Sequence, residues 1–325
     1  TIHLRNSSTS SQFNYVSFQK MGDVSGFRDA ALEISTSDVT LSNARFFDTE
    51  QQAIRITEGA APTFSASNVS ITGANYGIWV EEGSPTLDGF SIEEINYGIR
   101  VTAGSPIISN SQITNISNYG ILIDGNTTAN ITGNTIQEAS VGLFMDDRSV
   151  ISFQNNVLID CSKEVLVPTD VVDEIDFENN GIDKVYLAGG YNITSEVFLQ
   201  KQSYDYIIDG DLAVDAGFSL IIDPGVLLEF PTDYNITIDG TLTAVGTESD
   251  SIFFVGTNTN PNIHGGLLIF NSTASGSALN YISMKMMGDV NTNSAKDAAI
   301  ALSTNISQLQ NIRMHDIEGY GILFE

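Results

Sequence analysis

"NYGIWVEEGSPTLDGFSIEEI" runs from Asn75 to Ile95, and "NYGIRVTAGSPIISNSQITNI" follows it at once from Asn96 to Ile116. Two related units laid end to end make the internal repeat the first feature to read in a chain of 325 residues. The opening motif recurs as "QQAI" at Gln51, "NYGI" at Asn118, "SVGL" at Ser140 and "GYGI" at Gly319. Its apolar positions Ile54, Ile78, Ile99, Ile121 and Leu143 lie 24, 21, 22 and 22 residues apart. That period is too short for a helix pair and suits one coil of a β-solenoid or a leucine-rich repeat. The leucine-rich signature is missing. Each unit instead alternates with period two, as in Ile78-Trp79-Val80, Ile99-Arg100-Val101, Ile121-Leu122-Ile123 and Leu143-Phe144-Met145, the pattern of strands with one buried face.

A second column supplies the corners. Asn43, Asn68, Gly89, Asn110, Gly133 and Asn155 each stand three residues before a large apolar anchor: Phe46, Ile71, Ile92, Ile113, Ile136 and Leu158. Asn and Gly tolerate positive φ, so the same left-handed corner is expected in every coil, with asparagines able to bond along the stack. Pro62, Pro85 and Pro106 form a third column at a strand entry, where no ladder N–H is needed. One coil buries too little apolar surface to stand alone, so stability must come from the coils above and below it, in one rod-like stack.

These columns resemble the right-handed parallel β-helix of the pectin-lyase-like superfamily, most directly over Thr40 to Val167. The stretch "YDYIIDGDLAVDAGFSLIIDPGVLLEF", Tyr204 to Phe230, and "ITIDGTLTAVGTESDSIFFVG", Ile236 to Gly256, is similar to the pattern that opens many secreted bacterial β-helix modules. The resemblance implies an all-β fold with coils of about 21 to 25 residues and an extracellular or cell-surface address.

A longer repeat lies over the short one. "NYVSFQKMGDV" at Asn14 returns as "NYISMKMMGDV" at Asn280, "DAALEIS" at Asp29 as "DAAIALS" at Asp297, and "LSNARFFD" at Leu41 as "LQNIRMHD" at Leu309, with offsets of 266 to 268 residues. The sequence thus reads as the C-terminal part of one module over 1–167, a junction over 168–203 where the short period fails, and the N-terminal part of the next over 204–325. Both ends cut through a unit, so a piece of a longer tandem array is expected.

Composition excludes several classes. The 13 basic and 40 acidic residues give a formal charge of -27, a field that repels phosphate backbones and anionic lipid. No nucleic-acid partner and no membrane insertion are expected of this segment. The single cysteine, Cys161, forms no intramolecular disulfide; it falls in line with Ala74, Ile95, Ile116 and Ala139 and reads as a buried structural thiol.

For catalysis, the enzymes of the resembled superfamily use clustered carboxylates on acidic polysaccharides. The only acidic pair with a neighbouring cation worth weighing is Asp146, Asp147 and Arg148 in "MDDRS", which a solvated corner explains equally. The N-T-D, G-H-G and R-x-K motifs of the superfamily's hydrolases are missing. His3, His264 and His315 are far apart in sequence and have no zinc-ligand spacing.

Asp48, Gly73, Glu94, Asn115, Glu138 and Asp160 each follow an anchor by two residues and would stack as an outward column at ~4.8 Å. Calcium bridging Asp48, Glu94, Glu138 and Asp160 is the one cofactor this pattern suggests. Trp79, Arg100, Leu122 and Phe144 occupy outward strand positions. Their apolar members call for a cover, either another chain or a loop of the same chain. Tyr76, Tyr97, Tyr119 and Tyr320 form a corner column that reads as rod-stabilising before it reads as a sugar platform. The sequons at Asn115, Asn126 and Asn192 arise readily from Asn- and Thr-rich corners.

Architecture and resemblance together imply a non-enzymatic, structural or adhesive segment of a very large bacterial surface protein. It would self-assemble into a homo-oligomeric fibre or hook-like appendage that attaches to cells, surfaces or glycans. A polysaccharide-binding or polysaccharide-cleaving β-helix, and a passive calcium-stiffened spacer, are the alternatives.

Overall fold

The structure is a computed structural model that describes residues 1–5, 10–21, 30–65, 68–125, 127–146, 149–177, 179–258, 265–288 and 297–325. Contacts divide the chain into two units: Thr1–Leu166 with Glu174–Ile182, and Val167–Asp173 with Asp183–Glu325. Each is a stack of parallel, three-sided β coils, about 12 coils in all.

One coil of the first unit shows how the sequence makes a turn of the solenoid. Strand Ile107–Ser109 ends at Asn110, whose φ of 50° turns the chain into Gln112–Ile123. That strand bends at Asn115, φ 54°, so its two halves lie on different faces. A turn through Gly125 then leads into Thr128–Thr132, which pairs in parallel with Ile107–Ser109 and closes the circuit. The corner column has φ values of 47° at Asn43, 60° at Asn68, 77° at Gly89, 50° at Asn110, 68° at Gly133 and 56° at Asn155.

Stacking puts like on like. Ile54, Ile78, Ile99, Ile121, Leu143 and Val165 pair in register, and all are fully buried. So do the anchors Phe46, Ile71, Ile92, Ile113, Ile136 and Leu158. The glycine of "NYGI" is required by close approach, not by φ: a Cβ at Gly98 would lie 2.3 Å from the Gly120 carbonyl oxygen and 2.8 Å from Ile113 Cγ2.

Beside the corner runs a ladder that the repeat alignment does not single out. Asn134, Asn156 and Asn180 are completely buried. The backbone N–H of Ser111 donates to Asn134 Oδ1, that of Asn134 to Asn156 Oδ1, and that of Asn156 to Asn180 Oδ1, each at 3.0 Å. Their Nδ2 groups donate to the carbonyls of Ile108, Ile131 and Phe153 at 3.0, 3.0 and 2.8 Å. Each residue follows a left-handed corner, and its amide satisfies the backbone groups that the corner leaves without a strand partner.

The stretch expected as a junction, 168–203, is mostly coil. After the 3-10 helix Thr169–Glu174, the strands Lys184–Ala188, Asn192–Ile193 and Glu196–Leu199 pair with Asp205–Asp209, Leu212–Val214 and Ser219–Ile222 in the second unit. Residues Glu174–Ile182, which carry Asn180, group with the first unit. The period persists here, with Val185 opposite Tyr206 and Val197 opposite Leu220; it escapes the motif because the "NYGI" glycine and tyrosine are gone.

The long repeat is structural. Ile2–Leu4, Ser11–Gln19, Ala30–Ile34, Val39–Phe47 and Gln52–Ile56 recur as Leu268–Phe270, Ala278–Lys285, Ala298–Leu302, Gln308–His315 and Tyr320–Phe324. The registers match: Ile2 faces Leu32 as Leu268 faces Ile300, and Phe18 faces Phe46 as Met284 faces Met314. The bends recur at Tyr15 and Asn43, then at Tyr281 and Asn311. Asn43 Nδ2 donates to Asn14 Oδ1 at 2.9 Å, and Asn311 Nδ2 to Asn280 Oδ1 at 2.9 Å.

Two neighbouring asparagines should therefore respond oppositely to substitution. Asn156→Ala removes the partners of buried backbone groups and is expected to cost about 3 kcal/mol in urea unfolding. Asn155→Gly keeps the positive φ and is expected to change stability by less than about 1 kcal/mol. Gly98→Ala, which forces a Cβ against the next coil, should cost about 1–3 kcal/mol.

Candidate interaction face

The outward residues of the face that carries "NYGI" form one ladder: His3, Glu33, Arg55, Trp79, Arg100, Leu122, Phe144 and Leu166, each opposite the next. It is charged at one end and apolar at the other. Trp79, Arg100 and Phe144 are half-buried, while Leu122 is only 6% exposed. The cover comes from the first unit itself. The tyrosines at the preceding bend lean over the strand, with Tyr76 stacked on Tyr97 at 4.5 Å and 15°, Tyr97 on Tyr119 at 5.7 Å, and Tyr119 on Phe144 at 4.8 Å. Tyr76 also stacks on Trp79 at 5.9 Å. Stacked rings turn their faces to one another, so the ladder presents edges where a sugar platform would present faces.

Polar groups are paired across coils in the same way. Arg100 donates from Nε and Nη2 to Asp124 Oδ2 at 3.0 and 2.5 Å, and its guanidinium lies 4.7 Å over Trp79 and 5.6 Å over Tyr76. Trp79 Nε1 donates to Thr102 Oγ1 at 2.6 Å. Arg55 pairs with Glu33 at 2.7 Å and with Glu81, and His3 Nδ1 lies 3.0 Å from Glu33. Each ladder residue from Arg55 to Arg100 thus reaches the turn of the next coil. Burial alone would lower the Arg100 pKa, but the hydrogen bond and charge of Asp124 raise it. Burial raises that of Tyr76 against the opposing effect of Arg100. Arg100 remains a cation and Tyr76 a neutral phenol at neutral pH.

Asp146 belongs to that turn column. Its N–H donates to Ile123 O as that of Asp124 does to Val101 O and that of Glu81 to Ile56 O, so its coil position is the one at which Glu81 and Asp124 accept from arginines. Asp147 and Arg148 lie outside the described residues, as do His264 and Asn126. Next to the charged end of the ladder, a shallow concavity of about 410 Å³ is lined mainly by Glu33, Arg55, Glu58, Glu81 and Glu82. That acidic lining disfavours an acidic polysaccharide.

The column weighed for calcium is a second left-handed bend. Asp48, Glu94, Glu138 and Asp160 are exposed and have φ of 52°, 54°, 53° and 51°, alternating with Gly73 and Asn115 at 62° and 54°. Among the described residues no group of three or more His, Cys, Asp or Glu is placed to hold a metal ion. Cys161 is half-buried, its Sγ 3.7 Å from Ile159 O and 3.8 Å from Ile136 O. Burial raises its pKa, with the Ala139 backbone opposing and Glu164 adding to the rise.

Residues 30–195 match the family model described as "Right handed beta helix region". A stretch of 87 residues is 37% identical to "Protein bark beetle" of Drosophila melanogaster; it covers 27% of this chain and 2% of that protein. The chain therefore spans only a small fraction of that relative's length. No solved structure matches the chain.

Arg100→Ala should cost about 2 kcal/mol in urea unfolding, because it strands Asp124 and uncovers Trp79. An unchanged midpoint would mean that the cross-coil pair contributes nothing. Because a raised pKa leaves less thiolate at a given pH, Cys161 should be alkylated more slowly than a free-cysteine peptide at pH 7.5. Its rate should keep climbing above the pH at which the peptide's levels off.

Proposed function

The chain belongs to the right-handed β-helix family, and from that premise we propose that it is a structural and adhesive repeat segment. It would belong to a very large extracellular surface protein, bacterial in type, that builds a fibre or appendage. The β-helix fold serves enzymes such as pectate lyases and non-enzymes alike, so the choice rests on this chain's own residues. The observation that carries it is the recurrence of the coils of residues 2–56 as those of 268–324, strand for strand and in the same register. A module that repeats as structure adds length and repeats its faces, whereas an active site needs to be built only once.

The outward ladder supports the same reading. Its arginines are committed to Glu33, Glu81 and Asp124, its rings stack on one another, and its concavity is acidic. Attachment to cells or glycans would then use surfaces repeated along the array, and the acidic exterior keeps neighbouring fibres soluble.

Electron microscopy of the native material, with the polypeptide mass measured on the same preparation, tests the reading. Fibres built of this protein are the expected result. Dispersed, unassembled particles that depolymerise acidic polysaccharides, with activity lost in Asp146→Asn, would replace it with the enzymatic alternative.

A further inference from the structure

The exposed apolar residues of the two terminal coils lie at strand edges. In the N-terminal coil Ile2 is 36% and Tyr15 82% exposed; in the C-terminal coil Tyr320 is 63% and Phe324 65% exposed. The repeat shows what these positions look like when covered. Leu268, equivalent to Ile2, is fully buried beneath the strand Ile236–Ile238. Ile56, equivalent to Phe324, is fully buried by Tyr76–Val80. One coil design thus occurs twice, open on its leading side in one place and on its trailing side in the other. Among the described residues, Tyr320–Phe324 pairs only with Ala298–Leu302, and Ile2–Leu4 only with Ala30–Ile34. Each therefore keeps a free edge of backbone donors and acceptors.

We infer that a second copy of this chain docks head to tail on these edges, Tyr320–Phe324 of one copy pairing in parallel with Ile2–Leu4 of the next, and Gln308–His315 with Ser11–Gln19. The inference rests on the fibre reading above and supplies its assembly mode. The register follows from the inward columns: Ile322 and Phe324 meet Ile2 and Leu4, and Met314 meets Phe18. Outward, Arg313 lies over Ser17, as Arg45 lies over Ser17 within the chain. The contact joins two different surfaces, so it does not close on itself and generates a linear series of copies. The lateral ladder offers no comparable site, because its side chains are satisfied by their own neighbours.

Disulfide trapping tests the register. Adjacent parallel strands place Cα atoms ~4.8 Å apart, within reach of a disulfide. In a Cys161→Ala background, the double variant Ser17→Cys/Arg313→Cys, with both sites exposed and outward, should shift on oxidation from monomer to a reducible ladder of dimers and longer species. Peptide mapping should join positions 17 and 313, while either single variant stops at a dimer. Links of 17 to 17 or 313 to 313, or monomer alone, would overturn the inference. Phe324→Lys, at an exposed edge, should leave the circular dichroism and thermal transition of the dilute chain unchanged and abolish its multimers. Multimers that persist would overturn it as well. Fibres seen by microscopy without the 17–313 link refute this interface and leave the fibre reading standing; absence of fibres refutes that reading itself.

Discussion

Everything in this molecule follows from parallel coils stacked in register, at a separation fixed by the backbone hydrogen bond. Every residue has a counterpart about one strand spacing above and another below, so a position in the coil is a column through the unit. Columns accept few solutions. Inward they are aliphatic, because a coil can bury its apolar side chains only between its neighbours. At "NYGI" they are glycine, because the next carbonyl occupies the space of a Cβ. At corners they are Asn or Gly, and at the second bend Asp, Glu, Asn or Gly, with φ near +50° to +77°.

The same constraint decides how polar groups are handled. Like charges in adjacent coils repel, so the outward ladder alternates sign where it is charged, His3 and Arg55 flanking Glu33, and uses rings and aliphatics elsewhere. Inside, a polar column survives only if each member satisfies the next, as Asn134, Asn156 and Asn180 do by bonding both along the stack and back to backbone carbonyls. An isolated buried asparagine would be costly; three in line are mutually solvating.

The sequence made the aliphatic columns and the asparagine corners legible, because identity recurs there at the coil period. The buried asparagine ladder was hidden: its column runs Val69, Phe90, Ser111, Asn134, Asn156, Asn180 and mixes apolar with polar residues. The acidic column was read as a ligand row because charge is visible in sequence and φ is not; its residues form a bend. The need for a cover over Trp79, Leu122 and Phe144 was legible, but its source was not. The tyrosine column was judged by itself, and the partners Arg100 and Asp124 are 24 residues apart, a spacing that becomes a contact only once the coil length is known. The coil of residues 184–199 was missed because its motif residues had changed while its period had not.

Spin labels at Thr63 and Ser152, the outermost members of one exposed five-strand column within the first unit, test the stacking itself. Double electron–electron resonance should give a single narrow distance near ~19 Å, four strand spacings. A broad distribution, or a mean many ångströms away, would contradict the register on which the rest depends.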